Sequence, residues 1–309
     1  MKQKPKLLLI GSMTRSVAKY HDGIRERFGG GVAYGTRTAL ALNIPAEIIT
    51  IGADDIEPGV EELRSQGINI RRIPRKVSNN FYNDYRGKRQ FRMKDYIKEP
   101  ISIEDFEEVP GSKAVIFSPG FYEISSQTLE IFKDRTILLD LGGMTREFGK
   151  KDEEGYHLIN QVHWDTIDEF RDKVDILKIS EDDLENIDFD KDVRTEEEKI
   201  QNLAENGFPI VLYTRGAKET IIARKGLALE NVPSFPVGGD PGGAGDTFSV
   251  GFMAEYLKTK DLVKAVAFGN ACASYKVAGE DYDYDKVRNR ANQILVKTTA
   301  CEFNSETHH

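Results

Sequence analysis

Short apolar runs alternate with amphipathic stretches along most of the chain. Runs typical of buried strands are "KLLLIGS", "AEIITIG", "KAVIFSPG", "RTILLDLGG" and "VDILKIS". Stretches whose apolar residues recur about one helical turn apart are "GVAYGTRTALALNI", "IEPGVEELRSQGI" and "EEEKIQNLAENG". Strands that alternate with helices in this way predict a parallel sheet covered by helices.

Residues 70–103 interrupt this alternation. The segment "NNFYNDYRGKRQFRMKDY" alternates aromatic and polar residues about Arg86, which predicts a β-hairpin. Later in the chain, "FPIVLYTRGAKETIIARKG" predicts a strand, a turn and a second strand, and two helices follow. Because no internal repeat or low-complexity linker is present, we expect one domain over residues 1–309 with a β excursion.

Composition excludes several classes of function. Hydrophobic residues make up 39% of the 309 residues and charged residues 30%, and the formal net charge is −8, which argues against nucleic acid or an anionic membrane as a partner. The apolar start, residues 7–10, is too short for a signal peptide or a membrane span. Two cysteines without a CxxC pattern suit a reducing compartment, so we expect a cytoplasmic protein. His157 and His163 lack the partners of a zinc site.

The segment "DPGGAGDTF", residues 240–248, carries the most specific chemistry. The apolar residues after it, Phe248, Phe252, Met253, Tyr256 and Leu257, predict a helix with one apolar face that begins near Asp246 or Thr247. The residues before it lack bulky side chains, so the amides at the helix start can form a cradle for phosphate oxygens. An ordinary tight turn is the alternative interpretation of such a glycine-rich pattern.

The two aspartates of this segment need separate explanations. Asp246 suits a helix N-cap, but it also suits a general base that accepts a hydroxyl proton during phosphoryl transfer. Asp240 could help to organise Mg²⁺ or another cation through water. The segment is not a Walker loop, because no Gly-Lys-Ser/Thr follows it.

The same segment resembles the D-x-x-G-A-G-D-x-F signature of the ribokinase-like carbohydrate kinases, the PfkB family. The resemblance implies a three-layer α/β/α body with a mainly parallel sheet and a small β-sheet lid, formed by segments near 12–34 and 70–103. It implies that Asp246 is the catalytic base and that the amides of Gly243, Ala244 and Gly245 form the anion hole.

Other segments extend the resemblance over nearly the whole chain. "FGGGVAYGTRTALALN" resembles the region that contacts the substrate, with Gly30, Gly31 and Tyr34, where Tyr34 replaces the usual Asn. The "LLDLGGMTREFG" segment implies substrate contacts by Asp140 and Arg146. Residues implied on the ATP side are Asp240, Lys178, Ser180, Thr214, Gly216 and Asn270.

A weakened version of a family acidic motif is the implied magnesium site. Ser180-x-x-Asp183 stands where the family usually has N-x-x-E, and Asp183 is implied to reach Mg²⁺ through water. A solvated strand end is the alternative for residues 181–183, as a solvated edge charge is for Lys178. The basic residues Arg86, Lys88 and Arg89 are interpreted as a solvated hairpin tip rather than as contacts to an anionic substrate.

The resemblance implies an ATP-dependent kinase of a small sugar or polyol. The opening Asp240-Pro241 and the "LKIS" strand are similar to the myo-inositol kinase-like branch. The aspartate that many family members carry after the first strand is missing, because Arg15 or Ser16 occupies that place. A nucleoside kinase and a non-catalytic ligand sensor are therefore kept as alternatives. Family analogy also implies a possible homodimer through the lid.

Overall fold

The computed structural model describes residues 7–84, 86 and 91–306, with side chains up to residue 298. Lys88, Arg89 and most of the predicted hairpin turn lie outside the described residues. Within these ranges no helix is long and apolar enough to cross a membrane.

A large, mostly parallel sheet forms the centre of the molecule. Its strands in the described residues are β1 (Leu7–Gly11), β4 (Ala46–Gly52), β5 (Asn69–Pro74), β8 (Ala114–Ser118), β9 (Thr136–Asp140), β12 (Ile176–Ser180), β13 (Ile210–Thr214), β14 (Thr220–Arg224) and β15 (Glu230–Val232). They lie in the order β15-β14-β13-β12-β9-β8-β1-β4-β5. Among these strands only β14 runs against the others, so its pairs with β13 and β15 are antiparallel. The predicted parallel sheet is confirmed.

Helices cover both faces of this sheet. One face carries α1 (Gly31–Ala41), α2 (Glu57–Ser65), α7 (Ala244–Thr259), α8 (Leu262–Ala278) and α9 (Tyr284–Glu306). The other face carries α3 (Ser126–Glu130), α4 (Ile167–Phe170), α5 (Glu181–Leu184) and α6 (Glu196–Glu205). Alternate residues along each strand enter opposite cores, so that Leu9 packs with the first group and Leu8 with the second. This is the predicted three-layer arrangement.

A second, mostly antiparallel sheet is built from insertions into the first. Its strands are β2 (Thr14–Tyr20), β3 (Gly23–Gly29), β6 (Phe81–Asp84), β7 (Arg92–Met93), β10 (Arg146–Lys151) and β11 (His157–Gln161), in the order β10-β11-β7-β6-β2-β3. These pairs follow the carboxyl ends of β1, β5 and β9, so the sheet lies at that edge of the body. The sequence did not predict β10 and β11, and residues 69–74 belong to the main sheet instead of the predicted lid.

Strand β3 is one edge of the second sheet, and its residues 23–27 are exposed. Exposed edges are places where another chain can pair. The implied homodimer through this sheet stays a prediction.

Helix α7 positions the glycine-rich segment and depends on core packing. Phe252 is fully buried and stacks against Phe248 with ring centroids 6.0 Å apart. We expect Phe252→Ala to lower the free energy of unfolding by about 3–5 kcal/mol, because the lost contacts leave a cavity. Val296→Ala, at a site 71% exposed on α9, is the control and should change it by less than about 0.5 kcal/mol. Denaturant titration measures both, and equal effects would contradict this account of the core.

Candidate active site

A cavity of about 430 Å³ lies between the carboxyl ends of the main-sheet strands and the second sheet. Its floor includes the last residues of three parallel strands, Ser118, Asp140 and Ser180, and its roof includes Ser16 and Phe81. Ligands of open α/β sheets commonly bind at this edge. Predicted site residues that line the cavity are Gly30, Gly31, Tyr34, Asp140, Arg146, Lys178, Ser180, Asp183, Gly243, Gly245 and Asp246.

The glycine-rich segment turns tightly into α7, which begins at Ala244, two residues before the first of the predicted starting points. Gly243 precedes the helix with φ +81°, and a Cβ there would lie 2.4 Å from the ring of Tyr34. A close approach of this kind and a left-handed backbone both require glycine. At the start of α1, a Cβ on Gly31 would lie 2.6 Å from Asp246 Oδ1. Both glycines therefore make room for neighbours in the site.

The amides at the start of α7 do not all have the predicted role. Ala244 N donates to Pro241 O at 3.0 Å within the turn, so its N–H is already bonded. The first bond within the helix runs from Thr247 N to Gly243 O at 3.1 Å. Gly245 and Asp246 lie between these two, where a helix offers no internal acceptor for their N–H groups. The N–H groups of Gly245 and Asp246 therefore have no acceptor within the helix, and the implied anion hole stays a prediction.

Asp246 lies half-buried at the wall of the cavity, in the first turn of α7. Its Oδ1 accepts a hydrogen bond from Ser118 Oγ at 2.9 Å. Burial and the nearby Asp140 carboxylate raise the pKa of Asp246 to about 6, against the opposing effects of Lys178, Ser118 and Arg146. A carboxylate with a pKa near neutrality is suited to take up a proton from an alcohol. Asp246 does not accept a hydrogen bond as a side-chain N-cap of α7.

Lys178 and Asp140 form an ion pair beneath the glycine-rich segment. Lys178 Nζ lies 2.7 Å from Asp140 Oδ2, and both residues are at least nine-tenths buried. Burial alone would lower the pKa of Lys178, but Asp140, Asp246 and Asp183 outweigh it and hold the pKa above its ordinary value. Lys178 is therefore a charged member of the site, and its interpretation as a solvated edge charge is wrong.

Asp183 is also buried, so the alternative interpretation of residues 181–183 as a solvated strand end is wrong at this position. The segment forms the short helix α5, whose cap is Ser180. Asp183 Oδ2 accepts hydrogen bonds from Ser180 N at 2.8 Å and Ser180 Oγ at 2.6 Å. Asp183 Oδ1 has a longer contact of 3.4 Å from Thr145 Oγ1. Burial raises the pKa of Asp183.

Two predicted substrate residues complete the wall. Arg146 Nη1 donates to Gly120 O at 3.0 Å, and its guanidinium carbon lies 5.9 Å from the ring centre of Phe81. Burial lowers the pKa of Arg146, while the neighbouring carboxylates oppose that change. Tyr34 packs its ring against Gly243, and burial raises its pKa. Arg146 thus supplies a second cation to the site.

Other predicted residues lie away from the cavity walls. Asp240 is 61% exposed at its side chain, bonds to Gly242 N at 2.9 Å and lies 3.4 Å from Arg27 Nη1. Thr214 Oγ1 donates to Ile179 O at 3.1 Å, and Gly216 lies in the turn after β13.

The Asn270 amide is used inside the protein, contrary to the implied position facing an adenine base. Its Oδ1 accepts from Thr220 Oγ1 at 2.9 Å, and its Nδ2 donates to Pro233 O at 3.0 Å. These bonds tie α8 to β14 and to the loop after β15.

Several residues of the site were missed by sequence reasoning. Ser118 ends β8 just as Asp140 ends β9 and Ser180 ends β12, so its place at a strand end was the signal that could have identified it. Arg27 and Asn83 reach the cavity from the second sheet. Their positions depend on how the inserted strands pair, and no local pattern in the sequence specifies that pairing.

Residues 157–283 match the model of the pfkB family carbohydrate kinases. This match confirms the predicted resemblance, and that segment carries Lys178, Asp183 and the glycine-rich segment. Among the residues that the structure describes, no group of three or more His, Cys, Asp or Glu side chains is placed to hold a metal ion alone.

Two curated relatives resemble shorter parts of the chain. An ATP-dependent 6-phosphofructokinase of Thermoanaerobacterium thermosaccharolyticum is 35% identical over 107 residues, which are 34% of this chain and 32% of that protein. A nucleoside kinase of Methanocaldococcus jannaschii is 38% identical over 69 residues, 22% of each chain. The matches thus span about a third or less of the length of these relatives.

A solved structure shows the fold over a greater length. A pyrophosphate-dependent kinase in the ribokinase family, complexed with a pyrophosphate analogue and myo-inositol, superposes with a TM-score of 0.74. It is 19% identical, and the comparison covers 92% of this chain and 99% of that one. The fold is therefore ribokinase-like, as predicted.

The raised pKa of Asp246 predicts a stability change. Folding moves this pKa from an ordinary 3.8 to about 6, so the ionised carboxylate destabilises the folded state above pH 6 and this effect vanishes below pH 4. At pH 8 we expect Asp246→Asn to raise the free energy of unfolding by about 1–3 kcal/mol, and therefore to raise the unfolding temperature. At pH 4 the variant and the natural protein should differ little in stability.

Asp240→Asn is the matched control, because the hydrogen bond from Gly242 N lowers the pKa of Asp240. It should give no stabilisation at pH 8. Thermal unfolding at the two pH values measures both variants, and an Asp246→Asn protein that gains nothing at pH 8 would show that the carboxylate is not destabilised in the folded state.

Proposed function

We propose that this protein, which carries a pfkB family carbohydrate kinase domain, transfers a phosphoryl group from ATP to a hydroxyl group of a small sugar or polyol. The observation that carries the proposal is Asp246, a carboxylate with a pKa near 6 at the start of a glycine-flanked helix and on the wall of a cavity. The ATP-dependent phosphofructokinase relative supports the same class of reaction.

In this mechanism Asp246 accepts the proton of the acceptor hydroxyl as that oxygen bonds to the transferred phosphorus. The bond between this phosphorus and the donor oxygen breaks, and ADP leaves with the bonding electrons. Ser118 holds Asp246 Oδ1 and favours its ionised form before the proton arrives. Lys178 contributes a fixed positive charge, because its pairing with Asp140 keeps it protonated.

Phosphate oxygens have a place at the start of α7. The N–H groups of Gly245 and Asp246 precede the first bond within the helix, and the helix dipole adds partial positive charge there. Preorganised donors of this kind stabilise charge that develops during transfer. The guanidinium group of Arg27 lies beside the same segment, because a Cβ added to Gly242 would be 3.7 Å from Arg27 Nη2.

The residues present also fit Mg²⁺. Magnesium in such sites takes one or two carboxylates together with water and substrate phosphates. Asp183 lines the cavity, its Oδ2 is bonded to Ser180, and its Oδ1 has only a long contact of 3.4 Å from Thr145 Oγ1 among the described residues, so it would hold the ion through water. Mg²⁺ would neutralise charge on the donor phosphates there.

Two further candidates have specific support. The nucleoside kinase relative favours a nucleoside as acceptor. For the donor, Thr214, Gly216 and Asn270 do not line the cavity, which favours a short phosphate donor such as pyrophosphate, the donor named for the solved neighbour. A non-catalytic ligand sensor is the remaining alternative, and the tuned base Asp246 argues against it.

A panel assay tests the proposed function. The purified protein is incubated with Mg²⁺ and with ATP or pyrophosphate, in separate reactions, and with myo-inositol, D-ribose, D-fructose or adenosine. We expect acceptor-dependent release of ADP or phosphate, and a loss of about 10²–10⁴-fold in kcat for Asp246→Asn, because the base is gone. Acceptor binding without turnover under every condition would indicate the sensor instead.

Ser118 gives a second prediction about this reaction. Removing its hydroxyl in Ser118→Ala takes away a bond to ionised Asp246, so the pKa of Asp246 rises and the acid limb of the kcat profile moves to higher pH. The loss of rate should therefore be larger at pH 6 than at pH 8.

Ser249→Ala is the matched control, because Ser249 Oγ donates to Gly245 O at 3.1 Å and serves the same helix without touching Asp246. Its pH profile should follow that of the natural protein. An acid limb unchanged in Ser118→Ala would mean that Asp246 does not set it.

A further inference from the structure

Asn83 on β6 has a buried carbonyl oxygen without a hydrogen-bond partner in the described part of the chain. The residue is only 4% exposed, and its Nδ2 donates to Ser16 Oγ at 3.4 Å. If the two amide atoms exchanged places, the NH₂ group would be the orphan instead. A buried polar atom left unpaired destabilises the folded state, so either orientation calls for a partner from elsewhere.

The pairing of the second sheet explains which way Asn83 faces. Alternate residues of a strand share a face, so Asn83 and Phe81 point together, and both line the cavity. Ser16 pairs with Phe81 on one side and with Arg27 on the other. The roof of the cavity is therefore a polar pair, Ser16 and Asn83, beside an aromatic ring and a guanidinium.

We propose that Asn83, together with Ser16, binds a hydroxyl group of the acceptor and determines which acceptors are used. This inference rests on the proposed function, because it assigns the acceptor to the second-sheet side of the same cavity. A hydroxyl group donates to Asn83 Oδ1 and accepts from Ser16 Oγ, which satisfies the orphan oxygen.

The chemistry of the roof selects a class of acceptor. Phe81 offers an apolar face to the carbon-bound hydrogens of a ring. Asn83 and Ser16 offer neutral hydrogen-bond donors and acceptors to a hydroxyl group on that ring. A neutral cyclic polyol or sugar has both features. An acceptor that lacks the bonded hydroxyl would leave the Asn83 oxygen unpaired, and such losses are the ones that a polar site penalises strongly.

Asn83→Leu tests this role, because leucine keeps the branching at Cγ and has no polar side-chain atoms. Without ligand, we expect this variant to unfold at the same temperature as the natural protein or at a higher one, because the buried carbonyl oxygen without a partner is removed. We also expect KM for the best acceptor of the panel to rise at least tenfold, with a smaller change in kcat and in KM for the donor. Asn83→Ala should raise the same KM, and Ser16→Ala should raise it less.

Tyr82→Phe is the matched control on the same strand. Tyr82 lies on the opposite face of β6 and packs against Tyr156, with ring centroids 4.5 Å apart. This variant keeps that packing and should leave KM for the acceptor unchanged.

Ligand-induced shifts in unfolding temperature separate this inference from the proposed function, because they need no turnover. They are measured with myo-inositol, D-ribose, D-fructose and adenosine. A shift that is present in the natural protein and lost in Asn83→Leu supports the role of Asn83 even if no phosphoryl transfer occurs. An Asn83→Leu protein that unfolds several degrees earlier and keeps its shifts and its KM would overturn the inference, because Asn83 would then be structural. The absence of any shift in the natural protein would overturn it as well, since neutral polyhydroxyl compounds would not be ligands.

Discussion

The buried ion pair of Lys178 and Asp140 is the interaction on which the site depends. Three carboxylates, Asp140, Asp183 and Asp246, line the same cavity as the buried Lys178 and the guanidinium groups of Arg146 and Arg27. Burial and the neighbouring Asp140 carboxylate raise the pKa of Asp246 to about 6, and Lys178, Ser118 and Arg146 oppose this change. Breaking a buried pair by removing one partner commonly costs about 3–5 kcal/mol, so the arrangement is held firmly. The pKa of Asp246 is thus set by its surroundings.

The fold brings these charges together because of where strands end and where insertions enter. Ser118, Asp140 and Ser180 each close a parallel strand at one edge of the main sheet, although they are far apart in sequence. The second sheet is inserted after β1, β5 and β9, so its inner face covers that edge. The main sheet and its helices therefore supply the charged residues of the cavity and the start of α7. The second sheet supplies the residues on the opposite wall, such as Asn83.

Local sequence patterns predicted the main sheet and its helices well, and the second sheet poorly. The apolar strands and the helix after Asp246 follow from the spacing of apolar residues and from the glycines at the ends of elements. The family signature pointed to Asp246, which lines the cavity, and its role as a base stays a prediction. The burial of Lys178 and Asp183 was not visible, because burial depends on which strands are neighbours in the sheet. Strands β10 and β11 were missed because residues 146–161 are mostly polar and their apolar residues alternate only weakly. The bonded amide of Ala244 depends on the turn at Pro241, which spacing does not reveal.

The central claim is that the fold raises the pKa of Asp246 to near neutrality, and a titration of that carboxyl group measures it most directly. Carbon-13 NMR of aspartate-labelled protein, taken as the difference between the natural chain and Asp246→Asn, isolates this resonance. The account predicts a midpoint of about 6 and a higher midpoint in Lys178→Met, in which the nearby positive charge is gone. A midpoint below 4 in the natural protein would contradict it, because Asp246 would then be an ordinary carboxylate.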